Sequence, residues 1–111
     1  DNVLRPGGAR AMIHYYRALV RGGSRRMTQR GMPLITVPTL MLWGEQDVAL
    51  AKSTTYGTED QVATLTLRYL PEASHWIQQD DPEMVNAMMS AFLRDTPVPH
   101  AKGAEGDRDP A

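Results

Sequence analysis

The chain alternates apolar segments with polar segments that contain glycine and proline. Between residues 9 and 20, apolar side chains recur every three or four positions, which predicts a helix that ends before Gly22. Residues 34–43 are apolar apart from threonines, and their length and β-branched content favour a buried strand that Gly44 ends. Pro38 suits the first position of such a strand, where no ladder donor is needed.

Two further elements follow in the second half of the chain. Residues 65–69 alternate apolar and polar positions, which predicts a strand, and Thr66 and Arg68 make one face polar enough for a place near a sheet edge. Asp81 suits the N-cap of a helix and Pro82 suits its first position. The predicted apolar face of this helix consists of Val85, Met88, Met89, Phe92 and Leu93.

The long connection between the two strands predicts that they are parallel, because an antiparallel hairpin needs only a short turn. In a parallel α/β sheet, the carboxyl ends of the strands open on the same crevice, where ligands bind. Asp47 follows the first strand and His75 follows the second, so both are expected there. A carboxylate that accepts one ring N–H of a histidine leaves the other nitrogen to act as a base.

Each of these two residues has a simpler interpretation when it is taken alone. An aspartate after Gly-Glu-Gln is typical of a surface turn, and a histidine before a tryptophan is typical of a packed, hydrogen-bonded side chain. Glu45 is a competing acid, but it comes two residues earlier in the loop than Asp47, and Asp80 and Asp81 are better explained by helix capping. The order of Asp47 and His75, each after a strand, favours the functional interpretation.

An acid followed by a histidine is the order of the last two members of an α/β-hydrolase triad. The nucleophile should come first, and no upstream residue fits. Ser24 lacks the second glycine of a G-x-S-x-G elbow, and Asp1 has no strand before it. We therefore expect this chain to be the C-terminal piece of a longer enzyme.

Composition excludes several other classes of function. The net charge of −1 gives no electrostatic reason to bind nucleic acid or an anionic membrane, and no apolar run approaches the roughly 18 residues of a membrane span. The absence of cysteine excludes thiolate metal sites, and His14 has no second ligand at metal spacing. We expect a cytoplasmic protein without cofactor or metal, whose oligomeric state the sequence leaves open.

Three segments together resemble one known family. Residues 38–50, 74–86 and the helix segment 12–18 resemble the C-terminal part of the epoxide hydrolase branch of the α/β-hydrolase superfamily. The fold class implied is α/β, with the last parallel strands, their packing helices and the last helix of a cap domain. Residues 1–30 would end the cap and link it to the core, 31–95 would complete the core, and 96–111, rich in proline, glycine and charge, would be a disordered tail.

The resemblance also implies roles for individual residues. Asp47 would be the relay acid, His75 the base, and Tyr16 a cap tyrosine that holds the epoxide oxygen, after an upstream aspartate opens the ring to a covalent ester. Val48 and Trp76 would line the pocket by position, and the substrate would be a small apolar epoxide or a related ester or halide. Ordinary packing remains open for Trp76 and for Tyr16, which has Tyr15 as a neighbour.

Other functions share the same late motifs. Haloalkane or haloacid dehalogenases and serine esterases also carry an acid and a histidine in this order. A truncated remnant that acts only through binding is the alternative that involves no catalysis. The residue at the missing nucleophile elbow separates these interpretations, because aspartate favours ring opening or dehalogenation and serine favours an esterase.

Overall fold

The computed structural model describes residues 5–18, 31 and 33–110, which fall into two units, Asp1–Pro33 and Leu34–Ala111. The first unit contains helix α1, Gly8–Ala18. The end of the predicted helix at residues 19–20 and the loop at 24–30 lie outside the described residues. Among the described residues, no helix combines the length and apolar character needed to cross a bilayer.

The second unit is a two-stranded sheet with helices and turns attached. Its strands are parallel, as predicted, and the register runs from Thr39 opposite Leu65 to Gly44 opposite Leu70. The elements in chain order are β1 (Thr39–Gly44), 3₁₀ turns at Lys52–Thr55 and Thr58–Asp60, β2 (Leu65–Leu70), α2 (Ile77–Asp80) and α3 (Pro82–Leu93).

Strand β1 is shorter than the apolar run that predicted it. It starts directly after Pro38, while Ile35 forms an isolated parallel bridge with Val62. Proline has no N–H to donate to the ladder, so Pro38 separates this bridge from the continuous strand. The prediction that Pro38 stands at the start of the strand was close, and the prediction that the strand begins at residue 34 was wrong.

The sheet divides the buried side chains of this unit into two clusters. Successive side chains of a strand point to opposite faces, so alternate residues enter different clusters. One cluster consists of Leu70, Ala73, Val85, Met88 and Val98, with Leu40 and Leu42 against it. The other consists of Val62, Leu65, Leu67 and Tyr69, with Met41 and Trp43 against it.

Helix α3 begins as the sequence predicts. The Asp81 side chain accepts the N–H of Met84 at 3.0 Å, and Pro82 occupies the first helical turn. Val85 and Met88 are buried. Two members of the predicted apolar face, Met89 and Leu93, are exposed instead, and the partly buried residues that complete the packing are Met84, Ala91 and Phe92.

The disordered tail expected from Thr96 is corrected by the structure, in which residues 98–99 and 107–109 hydrogen-bond to β2. Leu67 and Arg108 exchange backbone hydrogen bonds of 2.8 and 2.9 Å in an antiparallel bridge. The Asp107 carboxylate accepts the N–H of Tyr69 at 2.7 Å, and Val98 is buried. These contacts cover the edge of β2 that does not face β1.

The buried side chain of Arg68 explains why a polar tail is ordered. The guanidinium is 1% exposed and donates to the carbonyl oxygens of Val98 at 2.9 Å, Pro99 at 3.2 Å and Arg108 at 2.9 Å. It also donates to the carboxylate of Asp109. A guanidinium has five N–H donors and no acceptor, so one side chain can hold several tail carbonyls at once. The polar face predicted at Thr66 and Arg68 is therefore buried, in a strand at the edge of the two-stranded sheet.

Replacing Arg68 by methionine should lower the free energy of unfolding by about 3 kcal/mol, because several buried carbonyl groups lose their donors. Urea unfolding of the full chain, followed by tryptophan fluorescence, measures this loss. Arg94→Met is the matched control, since Arg94 is an exposed arginine that follows α3. Similar, small losses in both variants would show that Arg68 does not hold the tail.

Candidate active site

The backbone ladder of the sheet continues past the strands and holds two loops side by side. The N–H of Glu45 donates to the carbonyl of Leu70 at 3.0 Å, and the N–H of Gln46 donates to the carbonyl of Ala73 at 2.9 Å. The Gln46 side-chain amide also donates to the carbonyl of Pro71 at 2.9 Å. The loop after β1 and the loop after β2 are therefore fixed to each other over several residues.

Gly44, the last residue of β1, allows the second loop to pass directly across the strand end. A Cβ at this position would lie 2.1 Å from the carbonyl oxygen of Ser74 and 2.5 Å from that of Ala73. Both distances are far below contact, and both partners are backbone atoms. Glycine is therefore required here by close approach, and the approach brings the residue after Ser74 toward the loop that follows β1.

The structure brings Asp47 and His75 together at this point. The Oδ2 atom of Asp47 lies 2.7 Å from Nδ1 of His75. The other oxygen, Oδ1, accepts the backbone N–H groups of Ala49 at 2.8 Å and Leu50 at 2.9 Å. The Asp47 side chain is only 6% exposed, and these three hydrogen bonds fix its orientation.

These contacts determine the charge of Asp47 and the tautomer of His75. The hydrogen bond with His75, followed by the one from the N–H of Leu50, lowers the pKa of the Asp47 carboxyl below its ordinary value. An ionised carboxylate can only accept, so Nδ1 of His75 carries the proton of their shared hydrogen bond. The second ring nitrogen, Nε2, is then the one available to take a proton.

The imidazole of His75 lies at an open surface. Its side chain is 46% exposed, and Nε2 accepts no hydrogen bond from the part of the chain that the structure describes. The ring of Trp76 meets it edge-on, with the ring centroids 5.4 Å apart. Val48 is fully exposed and Trp76 is 55% exposed, so an exposed apolar residue directly follows each member of the Asp47–His75 pair in the chain.

Tyr16, Glu45 and His14 are the other residues that the sequence singled out. Tyr16 belongs to the first unit, where its side chain is exposed on α1. Glu45, the competing acid, forms an ion pair with Lys52 rather than with His75. His14 is exposed, and within the described residues no group of three His, Cys, Asp or Glu side chains could hold a metal ion.

One acid near the site has a role that the sequence did not predict. Asp80 was expected to cap a helix together with Asp81, yet its Oδ2 accepts the N–H of Ser74 at 2.7 Å and the hydroxyl of Ser74 at 2.5 Å. Ser74 and Asp80 are six residues apart in the chain, and this spacing indicates a contact only once the residues between them form the short helix α2. Asp80 thus binds the loop that carries the histidine.

Two open clefts in the second unit are distinct from this pair. One, of about 370 Å³, is lined by residues that include Lys52, Tyr69 and Arg108. The other, of about 270 Å³, is lined by residues that include Leu70 and Met84. Neither Asp47 nor His75 lines either cleft. A molecule that exchanges a proton with Nε2 of His75 would therefore contact the exposed surface around that atom.

Comparison with known proteins points to one superfamily, although no family model matches the chain. The chain is 41% identical over 63 residues to mouse epoxide hydrolase 4. This match covers 56% of this chain and 18% of the mouse protein. It is 33% identical over 90 residues to the AB hydrolase superfamily protein YfhM of Bacillus subtilis, covering 81% of this chain and 30% of that protein. The chain thus spans less than a third of the length of these curated relatives.

A solved structure gives the same result for the fold. The structure of a mutant epoxide hydrolase from Bacillus megaterium, complexed with its product (R)-3-[1]naphthyloxy-propane-1,2-diol, superposes with a TM-score of 0.54 at 33% sequence identity. The match covers 55% of this chain and 22% of that one. The sequence and structure comparisons therefore both find similarity to epoxide hydrolases of the α/β-hydrolase fold.

Gly44→Ala should destabilise the second unit by about 3 kcal/mol or more, because the added methyl group meets backbone atoms that cannot rotate away. The control is Gly103→Ala, which adds the same methyl group at a position with φ of +78° and open space around it. Its cost should be about 1 kcal/mol, from backbone strain alone. Urea unfolding of both variants measures the difference, and equal costs would contradict the close approach at Gly44.

Proposed function

We propose that this chain, an α/β-hydrolase superfamily sequence most like the epoxide hydrolase branch, supplies the orienting acid and the base of a hydrolase with a covalent ester intermediate. The 2.7 Å contact between Asp47 Oδ2 and His75 Nδ1 is the observation that carries this proposal. The carboxylate that makes the contact is held by two further hydrogen bonds, so it can orient the ring.

In the proposed reaction, His75 acts on the ester rather than on the substrate itself. As water attacks the ester carbonyl carbon, Nε2 of His75 takes a proton from the water, and the Asp47 carboxylate stabilises the imidazolium that forms. The bond between the carbonyl carbon and the alkoxy oxygen then breaks. The proton passes from Nε2 to the departing alkoxide, which restores the neutral imidazole. The second proton of the water passes from the new carboxyl group to the alkoxide that ring opening formed, which regenerates the carboxylate and completes the diol.

The nucleophile in this proposal is an aspartate of the complete enzyme that lies outside these 111 residues. Its carboxylate attacks one carbon of the epoxide, the ring C–O bond breaks, and an ester and an alkoxide form together. Tyr16 is proposed to hydrogen-bond the alkoxide oxygen as its charge develops, which is the type of stabilisation that lowers such barriers. Similarity to the epoxide hydrolases supports both assignments.

A small apolar epoxide is the proposed substrate. The exposed residues Val48 and Trp76 directly follow Asp47 and His75 in the chain, and we propose that their apolar side chains line the substrate pocket. Such side chains lose unfavourable contact with water when an apolar ligand covers them. The diol product bound by the related Bacillus megaterium enzyme supports a small-molecule substrate of this class.

The same pair also serves a dehalogenase or a serine esterase, and the complete enzyme carrying His75→Gln separates them. An aspartate nucleophile attacks without a base, so this variant should form the ester and fail to hydrolyse it. Mixed with a terminal epoxide, the variant should gain the whole mass of the epoxide by intact-mass spectrometry. A serine nucleophile needs the histidine before it can attack, so the variant of an esterase would show no adduct.

Two controls and one alternative outcome define this experiment. His100→Gln removes a histidine whose Nδ1 lies 2.7 Å from Asp107, outside the proposed site, and it should turn over normally. A dehalogenase would instead trap an alkyl halide, with an adduct that lacks the mass of the hydrogen halide. The 111-residue chain alone should show neither turnover nor adduct. An unmodified His75→Gln enzyme, where the parent enzyme turns over the epoxide, would contradict the proposal.

A further inference from the structure

The two residues that flank His75 are both connected to the carboxylate of Asp80. Its Oδ2 accepts the backbone N–H of Ser74 at 2.7 Å and the hydroxyl of the same residue at 2.5 Å. The Ser74 hydroxyl oxygen in turn accepts the backbone N–H of Trp76 at 3.2 Å. The backbone on each side of the histidine is thus tied through Ser74 to one carboxylate oxygen, an arrangement we name the Ser74–Asp80 clamp.

This clamp acts on a histidine that lies in a loop. His75 lies between β2 and α2, so no regular ladder or helix fixes its backbone. Its side chain is half exposed and contacts the ring of Trp76 edge-on. The hydroxyl and then the N–H of Ser74 lower the pKa of the Asp80 carboxyl below its ordinary value. Charge-assisted bonds of this kind are about twice as strong as neutral ones.

Helix capping does not account for Asp80. The N-cap of α3 is Asp81, whose side chain accepts the N–H of Met84 at 3.0 Å. Asp80 is the last residue of α2, and its carboxylate reaches back to the residue that precedes His75. Two adjacent aspartates therefore have different functions, one toward the following helix and one toward the histidine loop.

We infer that Asp80 is a positioning residue that holds the loop of His75 so that Nδ1 stays within hydrogen-bond distance of Asp47. Asp80 does not touch the reacting atoms in the proposed mechanism, and its effect passes through Ser74 to the histidine backbone. The catalytic meaning of this inference rests on the proposed function. The positional part concerns the geometry of the folded chain alone and can be measured without any substrate.

The test is the tautomer of His75 in the full chain, read from ¹⁵N NMR of histidine ring nitrogens. In the parent chain, the proton should reside on Nδ1, where Asp47 accepts it. Asp80→Ala should raise the fraction with the proton on Nε2 about fivefold, the equilibrium effect of losing a typical hydrogen bond. Asp80→Asn keeps a neutral acceptor and should give a smaller change. The spectrum of His75→Gln assigns the signals.

A matched control and an internal reference accompany this test. Asp81→Ala removes the neighbouring carboxylate and its helix cap, so it should lower stability while the His75 tautomer stays the same. His100 has an equivalent Nδ1 contact with Asp107 at 2.7 Å, and its tautomer should remain unchanged in every variant. Ser74→Ala removes only the hydroxyl and replaces Asp80→Ala in the test if that variant fails to fold. Ser74→Thr keeps a hydroxyl and should show the parent tautomer.

Three results would overturn the inference. The His75 tautomer could be unchanged in Asp80→Ala and Ser74→Ala, it could shift equally in Asp81→Ala, or the His75 and His100 signals could shift together. The last two results would indicate general loosening rather than positioning. Failure of the proposed function gives a different result, because the His75→Gln enzyme would then carry no mass adduct. That result does not change the tautomer measurements.

Discussion

The parallel register of β1 and β2 is the constraint on which the candidate site depends. Because Gly44 lies opposite Leu70, both strands end at the same level and both loops leave the sheet side by side. The absence of a side chain at Gly44 then lets the second loop cross the first strand's end. A shift of register by one residue would reverse the faces of the side chains and separate Asp47 from His75.

Carboxylates that accept backbone N–H groups fix the polar parts of this unit. Asp47 holds its own loop and His75, Asp80 holds the histidine loop, and Asp107 holds the tail on β2. The Asp107 contact to His100 has the same 2.7 Å length as the Asp47 contact to His75. A histidine–carboxylate contact alone therefore does not define a catalytic pair. The proposed role of Asp47 and His75 comes from this contact combined with their place after two parallel strand ends.

The sequence predicted the parts of this unit that depend on apolar periodicity and local capping. The parallel strands, the cap at Asp81 and the approach of Asp47 to His75 follow from such signals. The order of the tail could not be predicted in this way, because hydrogen bonds from Arg68 to tail carbonyl oxygens hold it. An apolar pattern in the sequence indicates which side chains are buried, and it does not indicate such polar contacts. Asp80 was assigned to capping because its partner, Ser74, is close only once the loop has folded.

The central claim is that Asp47 and His75 act as one unit in the hydrolysis of a covalent ester. A double-mutant cycle in the complete enzyme tests it, with the decay of the ester followed in a single turnover for Asp47→Asn, His75→Gln and the double variant. If the acid acts only through the histidine, the double variant should be no slower than His75→Gln, within about threefold. A double variant whose ester decays more slowly than that of His75→Gln by the full factor that Asp47→Asn alone costs would contradict the account. Such a result would mean that Asp47 and His75 contribute independently.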